Sequence, residues 1–134
     1  MRFTHFCFVL VLMTLLAGCG SKTQVTGKVT FDDGTPLTTG EVRFESGNYL
    51  ASGKIQSDGS YRLSSIGEND GVEKGTYKVS VVAMEEIVTD PNKPLAEQKQ
   101  AKSLVAAKYR SGETSGLTCD VKGTTTFDIQ VEHE

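Results

Sequence analysis

Thr76-Tyr77-Lys78-Val79-Ser80-Val81-Val82-Ala83-Met84 decides the fold. Tyr77, Val79, Val81 and Ala83 fall on one face of an extended chain, with Lys78 and Ser80 on the other. That period of two marks a half-buried strand. Towards its end Val82 and Met84 make the second face apolar too, so that end requires cover on both sides. The stretch that follows, residues 85–114, is the expected cover.

The same rhythm recurs on either side. Val25, Gly27, Val29 and Phe31 alternate with Thr26, Lys28 and Thr30. Gly40 to Ser46 sets Val42 and Phe44 on one face. Tyr49 to Ser57 offers Ala51 and Ile55, and Tyr61, Leu63 and Ser65 align in a fourth run. Leu117, Cys119 and Val121 form a sixth, and Phe127, Ile129 and Val131 a seventh. Between them lie Asp32-Asp33-Gly34-Thr35-Pro36, Ser57-Asp58-Gly59-Ser60 and Lys122-Gly123-Thr124, all turn chemistry. The pattern predicts an all-β chain, a seven-stranded antiparallel β-sandwich. Residues 85–114 break the rhythm and are long for a loop. Pro94 to Lys108 is rich in helix formers, Pro94 suits a first helical turn, and Leu95, Ala101, Leu104 and Val105 give a thin apolar stripe. A short helix is expected there.

The N-terminal end has a different character. After Arg2, the run from Phe6 to Leu16 is apolar except for Thr14. It is shorter than the roughly 20 residues that span a bilayer core and suits the core of a signal peptide. Leu16-Ala17-Gly18-Cys19 then resembles the lipobox of bacterial lipoproteins at every position. The resemblance implies that a signal peptidase recognises Leu16, Ala17 and Gly18 and cuts before Cys19. It also implies a diacylglycerol on the Cys19 thiol and usually a third acyl chain on the new amine. One chain binds a membrane only marginally, whereas two or three hold firmly. The chain then divides into a leader (1–18), a lipidated tether (19–24) and a β-sandwich domain (25–134). Gly20, in place of an aspartate, favours the outer membrane within that resemblance, with the domain facing the periplasm or the surface.

Without the leader, which holds Arg2 and no acidic residue, the net charge is −4. No basic stripe exists, which argues against nucleic acid as a partner. Of three cysteines, Cys7 departs with the leader, Cys19 is the lipid acceptor, and Cys119 alternates with polar neighbours as a small core residue. No intrachain disulfide can then form.

The ordered motifs also resemble a known group. Val25-Thr26-Gly27-Lys28-Val29-Thr30-Phe31-Asp32-Asp33-Gly34-Thr35-Pro36-Leu37 with Gly40-Glu41-Val42-Arg43-Phe44 is similar to the opening of carboxypeptidase-regulatory-like domains. Ser57-Asp58-Gly59-Ser60-Tyr61-Arg62-Leu63 resembles their central hairpin, and Lys74-Gly75-Thr76-Tyr77-Lys78-Val79-Ser80-Val81 their Gly-x-Tyr strand. The resemblance spans residues 25–84 and, more faintly, 108–131. It implies a transthyretin-like (prealbumin-like) sandwich and a non-catalytic accessory role, with no cofactor.

Other constellations read as structure. Asp32, Asp33, Asp58, Glu68, Asp70 and Asp90 have turn spacing and match no calcium loop, so no metal is expected. Tyr109-Arg110-Ser111-Gly112 resembles the signature of transthyretin-related hydroxyisourate hydrolases, but the glycine follows the serine. His133 is also the only histidine outside the leader. Lys28 faces solvent, away from the core position that an internal isopeptide bond demands. The expectation is a lipid-anchored cell-envelope module, not an enzyme, whose partners are the membrane, through the lipid on Cys19, and an envelope protein or polysaccharide. The alternative is a carbohydrate- or peptide-binding domain of the envelope, with Tyr49 beside Asn48 and Tyr109 beside Arg110 as its loop candidates, and a remote alternative is a transthyretin-related hydrolase.

Overall fold

A computed structural model describes residues 21–87, 89–94 and 97–134. The leader, the lipobox Leu16 to Cys19, and Leu95 of the expected helix lie outside them. Among the described residues eight strands form two packed sheets: β1 (Val25–Phe31), β2 (Glu41–Ser46), β3 (Tyr49–Lys54), β4 (Ser60–Arg62), β5 (Gly75–Val82), β6 (Leu117–Val121), β7 (Thr125–Thr126) and β8 (Ile129–Val131). One sheet runs β3-β2-β5-β6, all antiparallel. The other centres on β1, with β4 on one side and β7 and β8 on the other.

The alternation predicts which residues turn inward. Val25, Val29, Val42, Phe44, Ala51, Ile55, Tyr61, Leu63, Tyr77, Val79, Val81, Ala83, Cys119, Val121, Ile129 and Val131 are all buried. Phe44 lies at their centre, its ring 5.8 Å from Tyr77 and edge-on to Phe127 at 5.9 Å. Both geometries are favourable for aromatic pairs.

The last expected strand is instead two, and both run parallel to β1, so the sandwich is mixed. The turn at 122–124 carries the chain from β6 across to the opposite sheet, where it enters alongside β1 in the same direction. The interruption between β7 and β8 has a local cause. The Phe127 carbonyl swings into the core and accepts the Tyr61 hydroxyl. Gly27 makes this room, because a Cβ there would lie 2.0 Å from the Phe127 oxygen. Asp128 repairs the ladder, its Oδ1 accepting the Lys28 amide at 2.9 Å.

No α-helix forms between residues 85 and 114 among the described residues. Their regular part is a ribbon at 102–106. The Leu104 amide donates to the Ala83 carbonyl (2.9 Å) and the Ala106 amide to the Glu132 carbonyl (2.9 Å), which joins the end of β5 to the end of β8. Val105 is fully buried and Leu104 half-buried. Pairing with two strand ends satisfies backbone groups over long range, and it outweighs the weak helix preference of a thin stripe. The opposite seam is closed by Ser52 and Ser64, whose amides donate to each other's carbonyls at 2.9 and 2.8 Å.

A 3-10 turn at Ala107–Arg110 follows the ribbon. The insertion covers β5 as expected, but at a different place. This turn and the loop after it bury Ser80 on the outer face, and the Ser115 hydroxyl donates to the Val79 carbonyl. Met84 stays 42% exposed.

Candidate binding groove

The outer face of the β1 sheet is polar because the alternation that buries Val25, Gly27 and Val29 turns Thr26 and Lys28 to solvent. Register then lines up neighbours across three strands. Thr26 stands opposite Arg62 of β4 on one side and Thr126 of β7 on the other. Lys28 stands opposite Ser60, and its amide holds the Asp128 carboxylate. Lys54 and Gln56, at the end of β3, and Ser64, Glu68 and Asn69, after β4, raise the walls. The result is an open groove of about 880 Å³.

Its floor is hydroxyl, amide and charge. Lys28, Lys54 and Arg62 oppose Glu68 and Asp128, a local cationic excess on a chain whose net charge is −3. Tyr61 lines the groove but is itself buried. Its hydroxyl is committed to Phe127, and burial pushes its ionisation well above the usual tyrosine range. Such a surface suits an extended polar ligand with hydrogen-bonding groups and anionic character.

The groove escaped sequence reasoning because its rungs join residues far apart in the chain, such as Thr26 with Thr126 and Lys28 with Asp128. The alternation in β1 marked Thr26 and Lys28 as outward; nothing in the chain marked their neighbours.

The other candidate residues lie elsewhere. Tyr49 is half-buried, its ring 5.8 Å from Tyr77, and its hydroxyl accepts the Glu73 amide at 3.2 Å. Tyr109 is buried under the Lys108 ammonium, 4.9 Å from the ring centre. Neither ring is a free stacking platform. Cys119 is buried, which pushes its thiol up. His133 stacks on Phe31 at 3.7 Å, with Nε2 3.5 Å from Asp33. Ser111, of the hydrolase-like stretch, caps its own turn by accepting the Glu113 amide at 3.3 Å.

Four of the six acidic candidates, Asp33, Asp58, Asp70 and Asp90, act as turn acceptors, while Glu68 lines the groove. Asp33 Oδ1 accepts the amide and hydroxyl of Thr35, and Asp58 Oδ1 those of Ser60; these bonds hold both carboxyls below their usual range. Asp90 accepts the Asn92 amide. Asp70 gathers the most. Its oxygens accept the Lys22 ammonium (2.6 Å), the Ser65 amide (2.8 Å) and hydroxyl (3.0 Å), and the amides of Ile66 (3.2 Å) and Gly67 (3.1 Å). The Lys22 contact and these donors hold its carboxyl far below the ordinary carboxylate range.

Residues 22–24, the last of the expected tether, are fixed to the loop after β4. Thr23 and Val72 exchange backbone hydrogen bonds at 2.7 and 2.9 Å, and Gln24 Nε2 donates to the Asn69 carbonyl at 2.9 Å.

No protein-family model matches the chain, and neither does any curated protein. Among solved structures, it is similar to a DUF3823 family protein from Bacteroides ovatus ATCC 8483. The identity is 20% and the TM-score 0.47, over 82% of this chain and 44% of that one. This chain therefore spans less than half of that protein's length.

Proposed function

We propose that the protein is a lipid-anchored module of the cell envelope, non-catalytic, which holds a polar partner in the groove across β4, β1 and β7. The observation that carries the anchor is Leu16-Ala17-Gly18-Cys19 closing a short apolar run. The transthyretin-like character of the sandwich belongs to the same proposal and rests on the order of its strand and turn motifs.

The groove supports a binding role through its charge and its extended shape. The placement of the reactive side chains favours binding over catalysis. Cys119 is buried in the core, and His133 packs on Phe31 beside Asp33. An extended acidic peptide or an acidic polysaccharide fits the groove better than a neutral sugar, which would need a free aromatic face.

Mass spectrometry of the protein from its host membrane tests the anchor. A diacylglycerol-bearing Cys19 at the mature N-terminus is expected; an uncut leader or an unmodified thiol would overturn the anchored reading. Calorimetric titration with acidic envelope polysaccharide and acidic peptides tests the groove. Saturable binding that Arg62→Glu abolishes is expected, and binding indifferent to that change would place the partner elsewhere.

A further inference from the structure

Among the described residues the most exposed large hydrophobic side chains are Ile66 (93%) and Leu50 (52%), both at the end of the sandwich where β1 begins; the less exposed Met84 (42%) follows β5 towards the other end. Val72 pairs with Thr23 there, and the Tyr49 hydroxyl accepts the Glu73 amide. The turn at Asp58 marks the far end, where Gly59 lies against Val29 and Pro36.

Ile66 is also tied to the start of the domain by a single atom. Asp70 Oδ2 accepts both the Ile66 amide and the Lys22 ammonium. Only Gly20 and Ser21 separate Lys22 from Cys19. Three residue steps reach at most about 10 Å even when fully extended. With residues 22–24 held to the domain, an acyl group on Cys19 leaves almost no slack.

We propose that the sandwich docks on the bilayer by its β1-start end, with Ile66 inserted in the lipid interface and the long axis of β1 raised from the surface. This rests on the anchored reading of Cys19 and goes beyond it, since an anchor alone permits any orientation. Ile66 supplies an apolar side chain that the fold leaves in water, and burying it stabilises contact with lipid. Charge at this end is slightly acidic, Lys22, Lys74 and Lys122 against Glu68, Asp70, Glu73 and Asp120, with Lys22 paired to Asp70 and Lys122 to Asp120. No cationic excess draws this end to an anionic surface, so the docking is apolar and persists as salt rises. One end of the groove, at Ser64 and Glu68, then opens beside the membrane.

The test uses the full acylated chain in phosphatidylethanolamine–phosphatidylglycerol vesicles. With Cys119 buried and Cys19 acylated, Gly67→Cys or Ser57→Cys provides a single site for a fluorophore. Gly67 tolerates it, because an added Cβ meets nothing nearer than 3.9 Å. Quenching by nitroxide lipids is expected at position 67 and not at 57, and it should persist between roughly 0.05 and 0.5 M salt. Adding Ile66→Asp should shift the docked-to-undocked ratio about tenfold towards undocked, the factor expected for losing one part-buried apolar side chain. Equal weak quenching at both positions on a membrane-bound protein would overturn the docking while leaving the anchor intact. Quenching that Ile66→Asp does not change would overturn the insertion of Ile66. A protein found unacylated by mass spectrometry would overturn the anchor, and the docking with it.

Discussion

Gly27 and Asp70 show how single residues shape this molecule in ways that residue type alone does not foretell. Gly27 occupies an inward position of β1, where a strand usually places a packing side chain. Its bare backbone admits the Phe127 carbonyl and the Tyr61 ring. Gly27→Ala would force its Cβ into that oxygen, an overpacking that costs about 1–3 kcal/mol. The expected outcome is a lowered midpoint in urea unfolding. Asp70 works by acceptance rather than volume. Its folded-state ionisation is depressed by Lys22 and by the Ser65, Gly67 and Ile66 amides. The stabilisation it gives is therefore complete above the ordinary aspartate value of about 3.9 and is lost as pH falls through its lower folded-state value. Asp70→Asn should lower the thermal midpoint at pH 7 and remove part of the loss that wild type shows below about pH 4, as followed by circular dichroism.

At the scale of elements, the ribbon at 102–106 ties the two facing sheets of the sandwich together along one seam. It contributes backbone hydrogen bonds to both sheets and Val105 to the core. Native-state hydrogen exchange should find the Leu104 and Ala106 amides protected, with the exposed residues 89–94 exchanging rapidly. Val105→Ala should cost about 2 kcal/mol and raise exchange at Leu104 and Ala106 more than at β2. Uniform acceleration over the whole sheet would instead mean that the ribbon and the sandwich open as one unit. The helix expected around it did not form because the stripe Ala101, Leu104 and Val105 offered few apolar contacts, whereas the vacant edges beside Ala83 and Glu132 offered backbone partners.

For the molecule as a whole, the two ends of the sandwich have different characters. The end near the start of β1 carries Ile66, Leu50 and the fastened residues 22–24; the far end carries the less exposed Met84, the Asp58 turn and the Asp33–His133 contact. All the contacts that hold residues 22–24 lie within the domain, and none requires a membrane. On the proposed anchoring through Cys19, a chain without residues 1–18 and carrying Cys19→Ser should therefore stay in the soluble fraction with the thermal midpoint of the anchored protein, as read by scanning calorimetry. A lowered midpoint would mean that the bilayer contributes to folding.

The buried faces of β1 to β6 and of β8 were legible in the chain, because alternation along an extended backbone is a local property and needs no knowledge of neighbours. So were the turns at Asp33 and Asp58, where an aspartate bonds to the second residue after it. Which strands become neighbours was not legible. The parallel entry of β7 and β8, the break at Phe127, the ribbon and the groove each depend on segments brought together from far along the chain. So does the fastening of Lys22 to Asp70. Their partners are chosen by the backbone groups and volumes left unsatisfied once the core has closed, and no local pattern records that remainder.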